Sequence, residues 1–179
     1  MTIQAEISGE DVKIWNEEDA QKIHNQDYYG KLNENQVLKL ALFEAAHLQK
    51  REKIEILNEE GEQLEYQDAL KRFAKIDTSF NQKYEIYKDL RERGLIVKTG
   101  FKFGTHFRVY PRGTNPYEEQ ANRKHTKWVV QAVKETEDIS FEKMSRAIRL
   151  AQNVRAKMLW GVVDSEANVT YYESKRVTP

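Results

Sequence analysis

Tyr110 and His125 stand at either end of a polar loop, and their chemistry is complementary. A phenol and an imidazole held close together can take a proton from one oxygen and give one to another, the two halves of general acid–base catalysis. The run Thr105-His106-Phe107-Arg108-Val109-Tyr110 alternates polar or amphipathic residues with apolar ones, so it reads as a strand. Tyr110 then shares a face with His106 and Arg108, while Phe107 and Val109 point to the opposite, apolar face. The Tyr110 face is basic, which suits an anionic ligand such as a phosphodiester. His125 opens the next predicted strand, so phenol and imidazole fall at adjoining strand ends. Each has a competitor: His106 for the acid and Tyr117, in the loop, for the base. His24 and His47 lie in the other half of the chain and read as packing or surface residues. None of the four histidines has a partner at metal-ligand spacing, so no metal and no other cofactor is expected.

The elements that must position these groups follow from periodicity. Short strands are predicted over 3–14, and a helix over 34–50, capped by Asn33, with Leu38, Ala41, Leu42, Ala45 and Leu48 on its apolar face. A strand at 54–57 leads to the turn Asn58-Glu59-Glu60-Gly61, and helices follow over 64–74 and 81–93, the latter stopped by Gly94. After Gly94 come a strand at 95–98, a Thr99-Gly100 turn, the strand ending at Tyr110, the loop 111–124 and a strand over 128–133. A helix with Ser140 as its cap is predicted over 141–157, then strands at 158–163 and 169–172 around an acidic turn. The fold class is α/β (α+β) in two parts. Residues 1–80 form a mixed α/β N-terminal domain, and 81–179 form a C-terminal domain with a mixed sheet flanked by helices. The soft boundary lies near 78–81.

Composition narrows the class. A chain of 179 residues can bury a core without staples, and the absence of cysteine removes disulfides, thiolate catalysis and cysteine-type zinc sites. No basic and apolar leader opens the chain, and no apolar run approaches the roughly 20 residues that span a bilayer, so a cytoplasmic protein without membrane contact is expected. Lys+Arg and Asp+Glu balance at 29 each, so distribution carries more information than net charge. The stretch 98–127 is basic, with Lys98, Lys102, Arg108, Arg112, Arg123, Lys124 and Lys127, whereas the first half is more acidic.

The order of residues from Tyr84 onward resembles the archaeal tRNA-splicing endonucleases. The likeness is carried by Tyr87-Lys88-Asp89-Leu90-Arg91, Gly94-Leu95-Ile96-Val97-Lys98-Thr99-Gly100, Phe103-Gly104, Phe107-Arg108-Val109-Tyr110-Pro111-Arg112-Gly113, His125, Val154-Arg155, and the ending from Val163-Asp164 to Tyr171-Tyr172. The resemblance implies metal-free RNA cleavage that leaves a 2′,3′-cyclic phosphate and a 5′-hydroxyl. In that scheme Tyr110 takes the proton of the ribose 2′-hydroxyl and His125 gives one to the departing 5′-oxygen. A free tyrosine, with a pKa of about 10, is a poor base at neutral pH and needs a nearby cation. The family supplies a lysine, where this chain has Ala156 in Val154-Arg155-Ala156-Lys157. On a helix reaching 157, Ala156 lies about 20° round from Arg149 and Lys157 roughly a further 100°. An inactivating lysine-to-alanine change is the leading expectation. Natural loss of activity in a structural or RNA-binding subunit, and replacement by Lys157, are the alternatives.

The resemblance also implies that Arg149 and Arg176 sandwich an unstacked base, and that Asp164 and Glu166 form an acidic loop entering a basic groove on a partner subunit. Taken alone, the arginines read equally as surface charges or phosphate contacts, and the acidic turn as solvated. The implied substrate is precursor tRNA with a bulge-helix-bulge at its intron junctions, recognised by shape. The implied assembly is a homotetramer, with a heterotetramer as the alternative.

Overall fold

The computed structural model describes residues 2–100, 104–117 and 126–179. The chain divides into two compact units, Met1–Tyr84 and Glu85–Pro179. The first is built on a six-stranded sheet from β1 (Ile3–Ser8), β2 (Asp11–Ile14), β3 (Lys31–Leu32), β4 (Leu38–Ala41), β5 (Ile54–Leu57) and β6 (Gln63–Leu64), in the order β3-β4-β2-β1-β5-β6. Only β1 and β5 run parallel. Alternation places Ile3, Ala5, Ile7, Val12, Ile14, Leu38, Leu40, Ile54 and Ile56 in the core, while Gln4, Glu6 and Lys39 remain exposed. The helices of this unit are α1 (Glu17–Asp27), α2 (Leu42–Lys50) and α3 (Tyr66–Ile76).

The first part of the helix expected over 34–50 is a turn and the strand β4. Leu38 and Leu40 alternate with exposed Lys39, and the helix begins only at Leu42. Asn33 does not cap it, because its Oδ1 accepts the N–H groups of Asn35 and Val37 and closes a turn before β4. The helix start is instead held by buried Glu44, whose carboxylate accepts the N–H of Ala41 and the N–H of Gly30, each at 3.0 Å. Gly30 is obligatory there: its φ is +59° and a Cβ would stand 2.5 Å from the Lys39 carbonyl oxygen.

Helix α4 (Phe80–Glu92) follows the Asp77 turn. The second unit carries a five-stranded sheet of β7 (Ile96–Thr99), β8 (Phe107–Tyr110), β9 (Trp128–Lys134), β10 (Lys157–Val163) and β11 (Val169–Ser174), ordered β11-β10-β9-β8-β7. Among the described residues of this unit only β9 and β10 are parallel, and α5 (Phe141–Asn153) makes the crossover a parallel pair needs. One sheet face packs on α5, where Ile148 and Ala151 meet Val129, Val133, Met158 and Trp160. The other face meets α4. The Tyr87 ring lies 6.1 Å from Phe107, and Gly161 leaves room for Ile86, which a Cβ would approach to 2.6 Å. The mixed sheet with helices on both faces agrees with the expected class.

Helix α5 ends four residues earlier than expected. Arg155 takes a left-handed conformation, φ +55°. Its N–H donates to the Gln152 carbonyl at 3.0 Å, and that of Ala156 to the Ala151 carbonyl at 2.8 Å. This pair of bonds is the Schellman closure of a helix C-terminus. Ala156 is thus the last of the three residues between α5 and β10, and the helical-wheel placement beside Arg149 does not apply.

Asp77 fastens the start of α4. Its Oδ1 accepts from the Ser79 N–H and hydroxyl, and its Oδ2 lies 2.7 Å from the Lys83 ammonium. Partial burial pushes this carboxyl up, but the hydrogen bonds from Lys83 and Ser79 outweigh it and hold it below the ordinary aspartate value. A depressed folded-state pKa stabilises the fold above the unfolded value of about 3.9, and that contribution is lost as pH falls through the folded value. Asp77→Asn is therefore expected to cost about 1 kcal/mol at pH 7 in urea unfolding, with the gap to the natural chain narrowing as pH falls below the unfolded aspartate value of about 3.9. A pH-independent gap would show that the charge plays no part.

Candidate functional site

Strand parity decides which side chains can meet. In the β7–β8 ladder Ile96 pairs with Tyr110 and Lys98 with Arg108, and in β8–β9 Arg108 pairs with Val129. Val129 belongs to the cluster beneath α5, so Tyr110, Arg108 and Lys98 all belong to the α5 face. There an Arg108 guanidinium N–H donates to the Tyr110 phenol oxygen at 3.4 Å, while Arg108 Nε donates to the Thr99 carbonyl at 3.0 Å. The second bond braces the first. Tyr110 is 2 % exposed, and its oxygen is met by a fixed positive charge. The contact puts a guanidinium beside the phenol oxygen. Its sequence signal was present in the shared parity of positions 108 and 110, read there only as a basic face.

The competing groups have contacts of their own. His106 uses Nδ1 to accept the N–H of Ala132 at 2.9 Å, completing the β9 ladder beyond the start of β8. Its ring proton then sits on Nε2, and protonating Nδ1 would break that backbone bond. Tyr117, 47 % exposed, lies with its ring centroid 5.2 Å from Lys98 Nζ. Tyr171 is committed elsewhere. Burial and its 2.7 Å donation to Asp89 push its hydroxyl well above the usual tyrosine value, which removes it as a base. His125, with Lys102, Arg123 and Lys124, lies outside the described residues.

Ala156 packs at the margin of the α5 cluster, so position 156 faces the side of the sheet that carries Tyr110. It also lies at the Tyr110 end: Val109 pairs with Trp128, and Trp128 with Lys157, the first residue of β10. Lys157 shares the face of Trp128 and Val109, opposite Tyr110. Its ammonium is paired with Glu173 at 3.2 Å. The one-residue shift between 156 and 157 is therefore a change of face, which argues against Lys157 as a replacement. Of the remaining basic residues, Arg112 donates to the Arg93 carbonyl at 3.0 Å and Lys127 Nζ stands 4.1 Å from the Trp128 ring centroid. Among the described residues Lys98 and Arg108 share the Tyr110 face, and Lys98 is only 5 % exposed.

Arg149, on the outer side of α5, and Arg176, in the tail after β11, are both exposed, and no hydrogen bond or ring contact joins them. The acidic turn has internal order. Asp164 Oδ1 accepts the N–H groups of Glu166 and Asn168 at 2.9 and 2.8 Å, and Oδ2 accepts from Asn168 Nδ2 at 3.0 Å. These bonds, the one from the Asn168 side chain foremost, hold the Asp164 carboxyl below the ordinary value. Asp164 is the organiser of the turn, and Glu166 is carried exposed on it. The turn is tied to the end of β9 through the Ser165 N–H, which donates to Glu135 at 2.9 Å.

Both halves of the chain are similar to known proteins. Residues 80–171 match the tRNA intron endonuclease, catalytic C-terminal domain, and residues 3–70 match the tRNA intron endonuclease, N-terminal domain. A tRNA-splicing endonuclease of Pyrococcus abyssi is 36 % identical over 171 residues, covering 96 % of this chain and 94 % of the relative. That of Methanothermobacter thermautotrophicus is 34 % identical over 172 residues, 96 % of each chain. In Methanococcoides burtonii the similar tRNA-splicing endonuclease is 33 % identical over 166 residues, which are 93 % of this chain and 46 % of a longer relative. Among the described residues no helix is long and apolar enough to cross a membrane. With both of its halves matched in order and relatives aligned along nearly its whole length, the chain belongs to the tRNA intron endonuclease family.

Proposed function

We propose that this chain is the subunit of an endoribonuclease that cuts precursor tRNA at bulge-helix-bulge intron junctions without a metal ion. The observation that carries the reading is the Arg108 guanidinium on the Tyr110 oxygen, at the sheet end shared with position 156. In the reaction the Tyr110 phenolate takes the proton of the ribose 2′-hydroxyl, and the freed 2′-oxygen attacks the adjacent phosphorus. The bond from phosphorus to the 5′-oxygen breaks, and that oxygen receives its proton from the His125 imidazolium. One proton leaves the RNA and one enters it. The products are a 2′,3′-cyclic phosphate and a 5′-hydroxyl. Arg149 and Arg176 are assigned to an unpaired base, and the Asp164–Glu166 turn to a partner subunit in a homotetramer.

Ala156 stands where the family carries its lysine, on the Tyr110 side of the sheet. A lysine there would add a cation for the charge that builds on the phosphorus oxygens. Its loss leaves Arg108 beside the base but removes a contact of the oxyanion type, worth about 10² to 10³ in rate. The chain as it stands is therefore a slow or silent nuclease that keeps its RNA-binding surface. A purely structural or RNA-binding subunit is the second reading, and Ala156 is the observation that favours it.

Restoring lysine by Ala156→Lys is expected to raise cleavage of a bulge-helix-bulge RNA in EDTA by at least about tenfold. Lys157→Ala should leave the rate of either background unchanged, since Lys157 faces away from Tyr110. No rise with the first variant would remove the inactivating-change reading, and a large fall with the second would reinstate Lys157. For assembly, light scattering at micromolar concentration is expected to give four times the chain mass of 21.1 kDa. A monomer would overturn the tetramer.

A further inference from the structure

We propose that Arg112 is a positioning residue for Tyr110, locking the strand end that carries the phenol to the C-terminal end of α4. The inference rests on the RNA-cleaving reading above and adds to it a residue that acts through the base. The β7–β8 ladder ends with Ile96 opposite Tyr110, because Pro111 has no N–H to carry it further. Two residues on, the same register sets Arg112 opposite Gly94. There a side chain takes over from the ladder: an Arg112 guanidinium N–H donates to the Arg93 carbonyl at 3.0 Å. Gly94 makes the contact possible, since its φ is +78° and a Cβ would stand 2.5 Å from Arg112 Nε.

The seat of the guanidinium is itself fixed. The N–H groups of Gly94 and Leu95 donate to the Arg91 and Leu90 carbonyls at 2.9 and 3.2 Å, which closes α4 and leaves the Arg93 carbonyl to Arg112. A cation is favoured at that end of a helix. The Arg93 side chain donates through Nε to Asp89 at 2.7 Å, and Asp89 also accepts from Tyr171. On the other side of Arg112, the Thr114 N–H donates to the Pro111 carbonyl at 3.2 Å and Gly113 has a φ of +71°, so 111–114 is a tight turn. Tyr110 thus stands between a ladder that ends at it and a turn anchored to α4. Such anchoring bears on rate, because a reacting group misplaced by about 1 Å costs roughly 10²-fold.

Single-turnover cleavage of a bulge-helix-bulge RNA in EDTA is measured for the Ala156→Lys chain, alone and with Arg112→Ala, Tyr110→Phe or both. Arg112→Ala should lower the saturating rate about tenfold and leave the half-saturating concentration within about twofold. Once Tyr110 is phenylalanine, the same change should cost nothing further, because residues that act as a unit are not additive. A weaker half-saturation with an unchanged saturating rate and a shallower salt dependence would make Arg112 a phosphate contact and overturn the positioning role. An unchanged rate, or an equal loss with and without Tyr110, would overturn it as well, and each of these results leaves the RNA reading intact. An Ala156→Lys chain that does not cleave this RNA at all would overturn the RNA-cleaving reading, and the inference with it.

Discussion

Side-chain alternation across the five-stranded sheet is the constraint on which the site depends, because each strand position faces either α5 or α4 and nothing between. Tyr110, Arg108 and Lys98 share the α5 face through the β7–β8 ladder, whereas Val109, Trp128 and Lys157 share the other. The two layers then do different work. The α4 face is closed by the Tyr87–Phe107 contact, by Ile86 over Gly161, and by Tyr171 bonded to Asp89. The α5 face is packed over Val129, Met158 and Trp160, and it carries ionisable groups toward the β7–β8 side.

Two tyrosines show how placement divides roles. Tyr171 donates to a carboxylate in a partly buried setting, which pins its proton in place. Tyr110 instead accepts from the Arg108 guanidinium. The same residue type is a structural tie in one place and a base candidate in the other. The closure of α5 matters in the same way. Its left-handed Arg155 turns the chain so that residue 156 joins the α5 face and residue 157 starts the strand on the other. A lysine moved by one position is not a lysine kept.

Much of this was legible in the residues. The strand through Phe107 and Tyr110, the pairing of Arg108 with Tyr110 on one face, the order of the C-terminal strands and the Ser140 cap all follow from alternation and capping chemistry. The end of α5 was not, because the αL position holds arginine, without the glycine that usually marks a stop. Helix α1 was missed for a different reason: only Ala20 and Ile23 are buried in it, so its apolar stripe is too thin to read. The strand β4 was hidden by the apolar residues of α2, which continue its pattern without a break. His106 could not be separated from the acid role by sequence, since its Nδ1 bond to Ala132 spans 26 residues.

The central claim is that Tyr110 acts as the base in a metal-free transesterification. It is tested most directly by mapping the RNA ends made in EDTA by the Ala156→Lys chain, with and without Tyr110→Phe. The account predicts 2′,3′-cyclic phosphate and 5′-hydroxyl ends at the intron junctions, and their loss with phenylalanine by about 10² or more. Ends bearing a 5′-phosphate, or cleavage unchanged by Tyr110→Phe, would contradict it.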